Sequence, residues 1–175
     1  MKYHPGGEEH TRRMIELAGL ERGSKVLDMG AGAGETVEIM RSMGFEAVGI
    51  DIEPRGRNVE KGDFLDLPYG DGSFDAVISQ CAFFVSGNAE KALSEAYRVL
   101  GKGGRLLLSD VWFVPAVQTA EKAGFRILRR EDMTSQWREY YIEAIWRGEA
   151  DCVPARGKCS YEMLICEKRT KNGSV

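Results

Sequence analysis

Histidine is scarce in this chain: of 175 residues only two are imidazoles, His4 and His10, both near the N-terminus. No histidine therefore follows a strand, where a general base would be sought. Cysteine is sparse as well. Cys81, Cys152, Cys159 and Cys166 are too few and too unevenly spaced to staple a fold, and they lack the close pairs of a closed zinc site, so no metal is expected. No apolar run approaches a membrane span and no apolar signal core follows Met1, so the sequence reads as cytoplasmic, with no membrane partner. Neither sign of charge prevails. A formal net charge of −3 leaves no basic field for phosphates, which removes nucleic acid from the expected partners.

What the chain does have is 21 glycines, and they fall at element ends rather than in a low-complexity tract. The length fits one domain. Thr11, Met14, Ile15 and Ala18 recur at spacings of three and four, which predicts a helix over 8–20 closed by Gly19 and Gly23. The apolar run 25–29 stops at a glycine turn, and Val37 and Met40 begin a helical period directly after it. A second strand, 46–51, completes a β-α-β unit, with a weaker strand near Val59.

Farther on, strands are expected at 74–79, 105–111, 125–129 and 161–167. Between them lie a helix capped by Asn88, a helix at 116–123 and an extra helix over 133–147 with an aromatic face. Gly101, Gly103 and Gly104 are read as stopping the Asn88 helix. This alternation predicts an α/β fold: a doubly wound, mostly parallel sheet with helices on both faces and ligands beyond the carboxyl ends of its strands.

The turn Asp28-Met29-Gly30-Ala31-Gly32-Ala33-Gly34 permits the backbone to approach a ligand lying across a helix N-terminus. A dinucleotide fingerprint has a glycine where this chain has Glu35, a poor neighbour for a pyrophosphate, so a nicotinamide oxidoreductase is disfavoured. A ligand carrying a sulfonium, an ammonium and a carboxylate suits an acid beside backbone amides better. Asp51, at the end of the second strand, is placed to accept both hydroxyls of a ribose, with Ile52 beside it. Asp63 is placed to accept an adenine amino group with Phe64 against the ring, although Asp63 equally suits an Asx turn.

From about Val26 to Val111 the chain resembles the class I (Rossmann-like) S-adenosylmethionine-dependent methyltransferases. The matching segments, in order, are the glycine turn from Asp28 to Gly34, Asp51, the run from Gly62 to Tyr69, Phe74-Asp75-Ala76-Val77, and Glu95 to Leu100 leading to Gly103-Gly104. The resemblance implies seven strands with the last antiparallel. It also implies S-adenosyl-L-methionine as cofactor, S-adenosyl-L-homocysteine as product, and a division into an arm and helix (1–24), a cofactor-binding half (25–111) and an acceptor-side half (112–175). On it, Asp28, Gly30, Ala31, Gly32, Gly34, Asp51, Ile52, Asp63, Phe64, Gln80 and Cys81 contact the cofactor, joined by Tyr3 and Gly7 of the arm and by Glu35 and Thr36. A narrower likeness, Ser79-Gln80-Cys81 with Ser109-Asp110-Val111-Trp112, points to the arsenite methyltransferase branch, whose usual insertion over the active site is missing here.

Methyl transfer from a sulfonium asks mainly for alignment and desolvation, and a soft acceptor needs no base. With no histidine after the strands, the sequence leans toward a thiol, selenium, arsenic or already ionised small-molecule acceptor. Cys81, Cys152 and Cys159 are then candidate acceptor-side thiols, while Cys166 reads as core. The rival from another class is a protein that binds the cofactor without transferring a methyl group. A monomer or homodimer is expected.

Overall fold

The computed structural model describes residues 4–148 and 159–169. Seven strands form one sheet: β1 (Lys25–Met29), β2 (Glu46–Asp51), β3 (Val59–Lys61), β4 (Phe74–Gln80), β5 (Leu100–Trp112), β6 (Phe125–Asp132) and β7 (Ser160–Lys168), in the order β3-β2-β1-β4-β5-β7-β6. The strands β1 to β5 pair in parallel, and β7 runs antiparallel to both β5 and β6. Around the sheet lie α1 (Gly7–Ala18), α2 (Glu35–Ser42), α3 (Phe83–Ser86), α4 (Ala89–Val99), α5 (Ala116–Lys122) and α6 (Thr134–Trp146). Among the described residues no helix is long and apolar enough to cross a membrane.

Side chains alternate across the sheet with period two and so feed two cores. Val26, Ala76, Ile78 and Leu107 face Met14, Ile15 and Ala18 of α1 and Val37 and Met40 of α2. Leu27, Met29, Val77, Leu106 and Leu108 face Leu93, Ala96 and Val99 of α4 and Ala116 and Ala120 of α5. Each large apolar side chain fully buried in this way contributes about 1.5–3 kcal/mol. Asn88 caps α4 as its sequence indicates, its side chain accepting from Lys91 N at 3.1 Å. Through Glu95 and Arg98, α4 also grips the loop that follows β3. Arg98 donates to Leu67 O (3.0 Å) and Tyr69 O (2.7 Å), and Glu95 Oε2 accepts from Leu67 N (2.9 Å). That grip sets the segment carrying Asp63 and Phe64 against the sheet.

Two expectations need correction, and one element has no counterpart among them. Gly101, Gly103 and Gly104 lie inside β5, which starts at Leu100 and reaches its main register with β4 through an irregularity between Phe74 and Ala76; the glycines absorb that offset. β6 runs on to Asp132, because Arg129, Arg130 and Glu131 keep pairing with β7. The four-residue α3 is too short to show a period and passed unread.

The strand order reverses between β1 and β4, with β2 and β3 to one side and β5 to the other. A crevice therefore opens at the carboxyl ends of β1, β2 and β4.

Candidate functional site

Beyond Met29 the chain turns through Gly30, Gly32 and Gly34 with φ of 84°, 52° and 85°, left-handed values that favour glycine. A Cβ on Gly30 would lie 2.3 Å from Ala82 Cβ, so the turn and the start of α3 are in direct contact. The turn borders a cavity of about 780 Å³ in the crevice, within the roughly 300–1,000 Å³ of small-molecule sites. Asp28, Gly30, Ala31, Gly32, Glu35, Thr36, Asp51, Ile52, Asp63, Phe64, Gln80 and Cys81 all line it. Gly34 instead caps α2 and Gly7 opens α1, neither on the cavity wall. Tyr3 and Cys152 lie outside the described residues. Cys159 is half-buried against the cluster of Val111, Trp137 and Tyr161, which Cys81 borders as well.

Asp51 spans the turn. Its Oδ2 accepts from Gly32 N and its Oδ1 from Glu53 N, each at 2.8 Å, which leaves further lone pairs on both oxygens. Asp63 forms the Asx turn, Oδ1 accepting from Leu65 N at 2.8 Å, while still bordering the cavity. Asp28 differs from both. It is only 4% exposed, and its carboxylate takes no hydrogen bond among the described residues. Burial, and then the charges of Asp51 and Glu35, push it up to about 7.

Because that value exceeds the carboxyl's ordinary one, the folded protein favours the protonated form. The resulting stabilisation is complete below about pH 4 and is lost as pH rises through 7. Asp28→Asn is therefore expected to stabilise the ligand-free protein at pH 8 by about 2 kcal/mol, roughly 4 °C in Tm, with a smaller gain at pH 5. Thermal denaturation at the two pH values checks this, and equal gains at both would remove the strained carboxylate.

No histidine follows a strand, yet the N-terminal histidines lie at and behind the site. Helix α1 lies across the sheet, so sequence distance does not translate into spatial distance. His4 lines the cavity, where its Nε2 is 2.9 Å from Thr11 Oγ1 and its Nδ1 3.3 Å from Gln80 Nε2. Thr36 Oγ1 donates to Gln80 Oε1 at 3.2 Å, which ties α2 into the same group. His10 is 5% exposed and its Nε2 is 3.1 Å from Ser109 Oγ. Burial, with His4 and Arg13 nearby, lowers it to about 4, so it is neutral at physiological pH. A buried histidine on a helix face that otherwise carries Thr11, Met14 and Ile15 was the available sign.

The aromatic face of α6 both packs and lines. Trp137 is buried and stacks on Tyr161 at 6.2 Å and 9°, whereas Tyr140 and Tyr141 meet at 86° on the cavity wall. Val85, Ser86 and Arg55, none of them expected from sequence, also border the cavity.

Residues 27–108, which run from within β1 to within β5 and include the turn and Asp51, match a family described as methyltransferase domain. In this segment and in its sheet the chain is similar to the class I S-adenosylmethionine-dependent methyltransferases. S-adenosylmethionine is the cofactor of that family. The demethylmenaquinone methyltransferase of Thermus thermophilus is 37% identical over 115 residues, covering 57% of this chain and 52% of that protein. The sarcosine/dimethylglycine N-methyltransferase of Aphanothece halophytica is 27% identical, covering 81% of this chain and 66% of that one. The chain thus spans about half the length of the first of these relatives. Among solved structures, the [4+2]-cyclase SpnF shares the fold with a TM-score of 0.78 at 19% identity, covering 97% of this chain and 88% of SpnF.

The residues present suit the cofactor of the methyltransferase family. Asp28 offers a buried carboxylate that takes no hydrogen bond among the described residues, which calls for a cation. The glycine turn leaves room where side chains would obstruct a ligand, and Ile52, Phe64 and Leu65 give an apolar slot beyond Asp51.

Proposed function

We propose that this chain transfers a methyl group from S-adenosylmethionine to a small-molecule acceptor by in-line displacement, releasing S-adenosylhomocysteine. The observation that carries this reading is Asp28, a buried carboxylate without a hydrogen bond among the described residues, on the wall of a glycine-lined cavity. Bound there, the cofactor supplies a methyl group on a sulfonium, a leaving group good enough that the protein's task is alignment and exclusion of water.

In this reading Asp28 faces the ammonium end, and the amides of the glycine turn lie along the ligand. Asp51 takes the ribose hydroxyls on its remaining lone pairs, and Asp63 and Phe64 flank adenine. Gln80, held by His4, Thr11 and Thr36, sets the wall between cofactor and acceptor. Tyr140, Tyr141 and Val85 enclose the acceptor side. Six carboxylates and a single guanidinium, that of Arg55, line the cavity, so the field favours a neutral or cationic acceptor over an anionic one.

Isothermal titration tests the cofactor assignment. S-adenosylhomocysteine is expected to bind and NAD is not, with Asp51→Ala weakening the first at least about tenfold, since each lost charge-assisted hydrogen bond is worth about 1.5–3 kcal/mol. Binding of NAD alone, or of neither ligand, removes the reading. Turnover on an acceptor then separates transfer from binding alone.

A further inference from the structure

Cys81 is the one described residue other than glycine with a left-handed backbone, at φ 56°. Its conformation is imposed from both sides. Cys81 N donates to Ser109 O at 2.9 Å, and the following turn is tied down where Phe83 N and Phe84 N donate to Asp110 Oδ2 at 2.8 and 3.2 Å. The side chain thereby faces the cavity with Sγ 3.3 Å from Tyr161 Oη.

Behind that sulfur the hydrogens run one way. Ser109 Oγ donates to Tyr161 Oη at 2.9 Å, which leaves the single phenolic hydrogen for Sγ. Ser109, having spent its own hydrogen, accepts from His10 Nε2 at 3.1 Å. Three buried donors in series, from α1, β5 and β7, thus end on one sulfur atom and polarise one another toward it.

We propose that Cys81 is the base that takes the acceptor's proton, deprotonated by the positive charge of the bound cofactor and reprotonated once that charge is lost. The proposal rests on the cofactor reading above. The groups facing Cys81 are the Asp110 carboxylate from β5, the Tyr161 hydroxyl from β7 and the Tyr141 phenol from α6; none is a cation, and His10 behind them is neutral. Burial and the Asp110 charge therefore hold Cys81 as a thiol in the free protein. In the same cavity Asp28 is a second buried acid with no cation against it among the described residues.

With the sulfonium in the cavity, Cys81 loses its proton to solvent, and the thiolate is held by the Tyr161 hydroxyl. The thiolate then takes the proton from a neutral X–H acceptor as X bonds to the methyl carbon and the carbon–sulfur bond breaks, its electron pair staying on the departing thioether. Cys81 is again a thiol beside a neutral product, and one proton has been released per turnover. The acceptor class this suits is neutral and proton-bearing: an unprotonated amine, a thiol or an acidic carbon.

The test compares the affinities of S-adenosylmethionine and S-adenosylhomocysteine by titration calorimetry from about pH 7 to 10, in the wild type, Cys81→Ser and Tyr161→Phe. A nearby opposite charge lowers an acid by about 1–3 pH units, which brings the thiol from about 12 to at least about 9, so the wild-type preference for the charged ligand is expected to grow by up to about tenfold, most of it above pH 9. Cys81→Ser, which also cancels the contribution of the ligands' own amine, is expected to lack that growth. Tyr161→Phe, which keeps the ring on Trp137 should the serine variant fail to fold, is expected to displace the growth to higher pH. A wild-type preference as flat as that of both variants overturns the base. Failure of either ligand to bind at any pH overturns the cofactor reading, and the base with it.

Discussion

Gly30→Ala is expected to abolish S-adenosylhomocysteine binding, with a loss beyond about 100-fold, and to lower stability by about 2–5 kcal/mol. Two costs add. A left-handed alanine costs about 1–2 kcal/mol, and the new Cβ, 2.3 Å from Ala82 Cβ, overpacks the contact by about another 1–3. The neighbour has nowhere to retreat, because Ala82 begins the turn whose amides Asp110 holds. On the other side Gly30 N is bonded to Ile50 O at 2.9 Å. The turn must therefore shift as a unit and carry the cavity floor with it. Calorimetric titration and thermal denaturation of the same preparation check both effects. Binding within a few-fold of wild type would mean that this turn does not cradle the cofactor.

Asp110→Ala is expected to cost about 3–5 kcal/mol in chemical denaturation. The carboxylate is fully buried and accepts from the amides of Phe83, Phe84 and Val111, so its removal strands several buried donors at once. It also releases the constraint on Cys81, and the thiol is expected to react faster with a small alkylating reagent in the folded variant. A loss below about 1 kcal/mol would show that the amides find other partners. Neither result depends on knowing the acceptor.

The parts of this molecule legible in its sequence are those whose signal is local. The glycine turn is legible because it interrupts a period of two and starts a period of 3.6 within a few residues, and Asp51 because it closes the next apolar run. The aromatic spacing from Trp137 to Tyr141 gave α6, but not which ring would pack and which would face the cavity. What escaped depends on separations that no local pattern records. Asp110 caps α3 from 27 residues away, Arg98 grips Tyr69 from 29, and His10 reaches Ser109 across 99. Tyr161 reads as an ordinary strand residue, since its ring is core and only its hydroxyl touches the site. The bond from His10 to Ser109 escaped for the same reason, since only the packing of α1 on the sheet brings the two together.

The place of β7 between β5 and β6 has a consequence for how the protein is made. Until residues 160–168 emerge from the ribosome, the hydrogen-bonding edges of β5 and β6 that face each other stay open, and Leu106, Leu107 and Leu108 have only one neighbouring strand. An unpaired edge beside that apolar run invites pairing with other chains, so the interval before β7 inserts is the molecule's exposure to misassembly during synthesis. Tyr161 arrives on that same strand. The wall behind Cys81 is thus the last part of the cavity to be built, and a ribosome-bound chain that already displays the glycine turn and Asp51 still lacks the hydroxyl on which the sulfur rests.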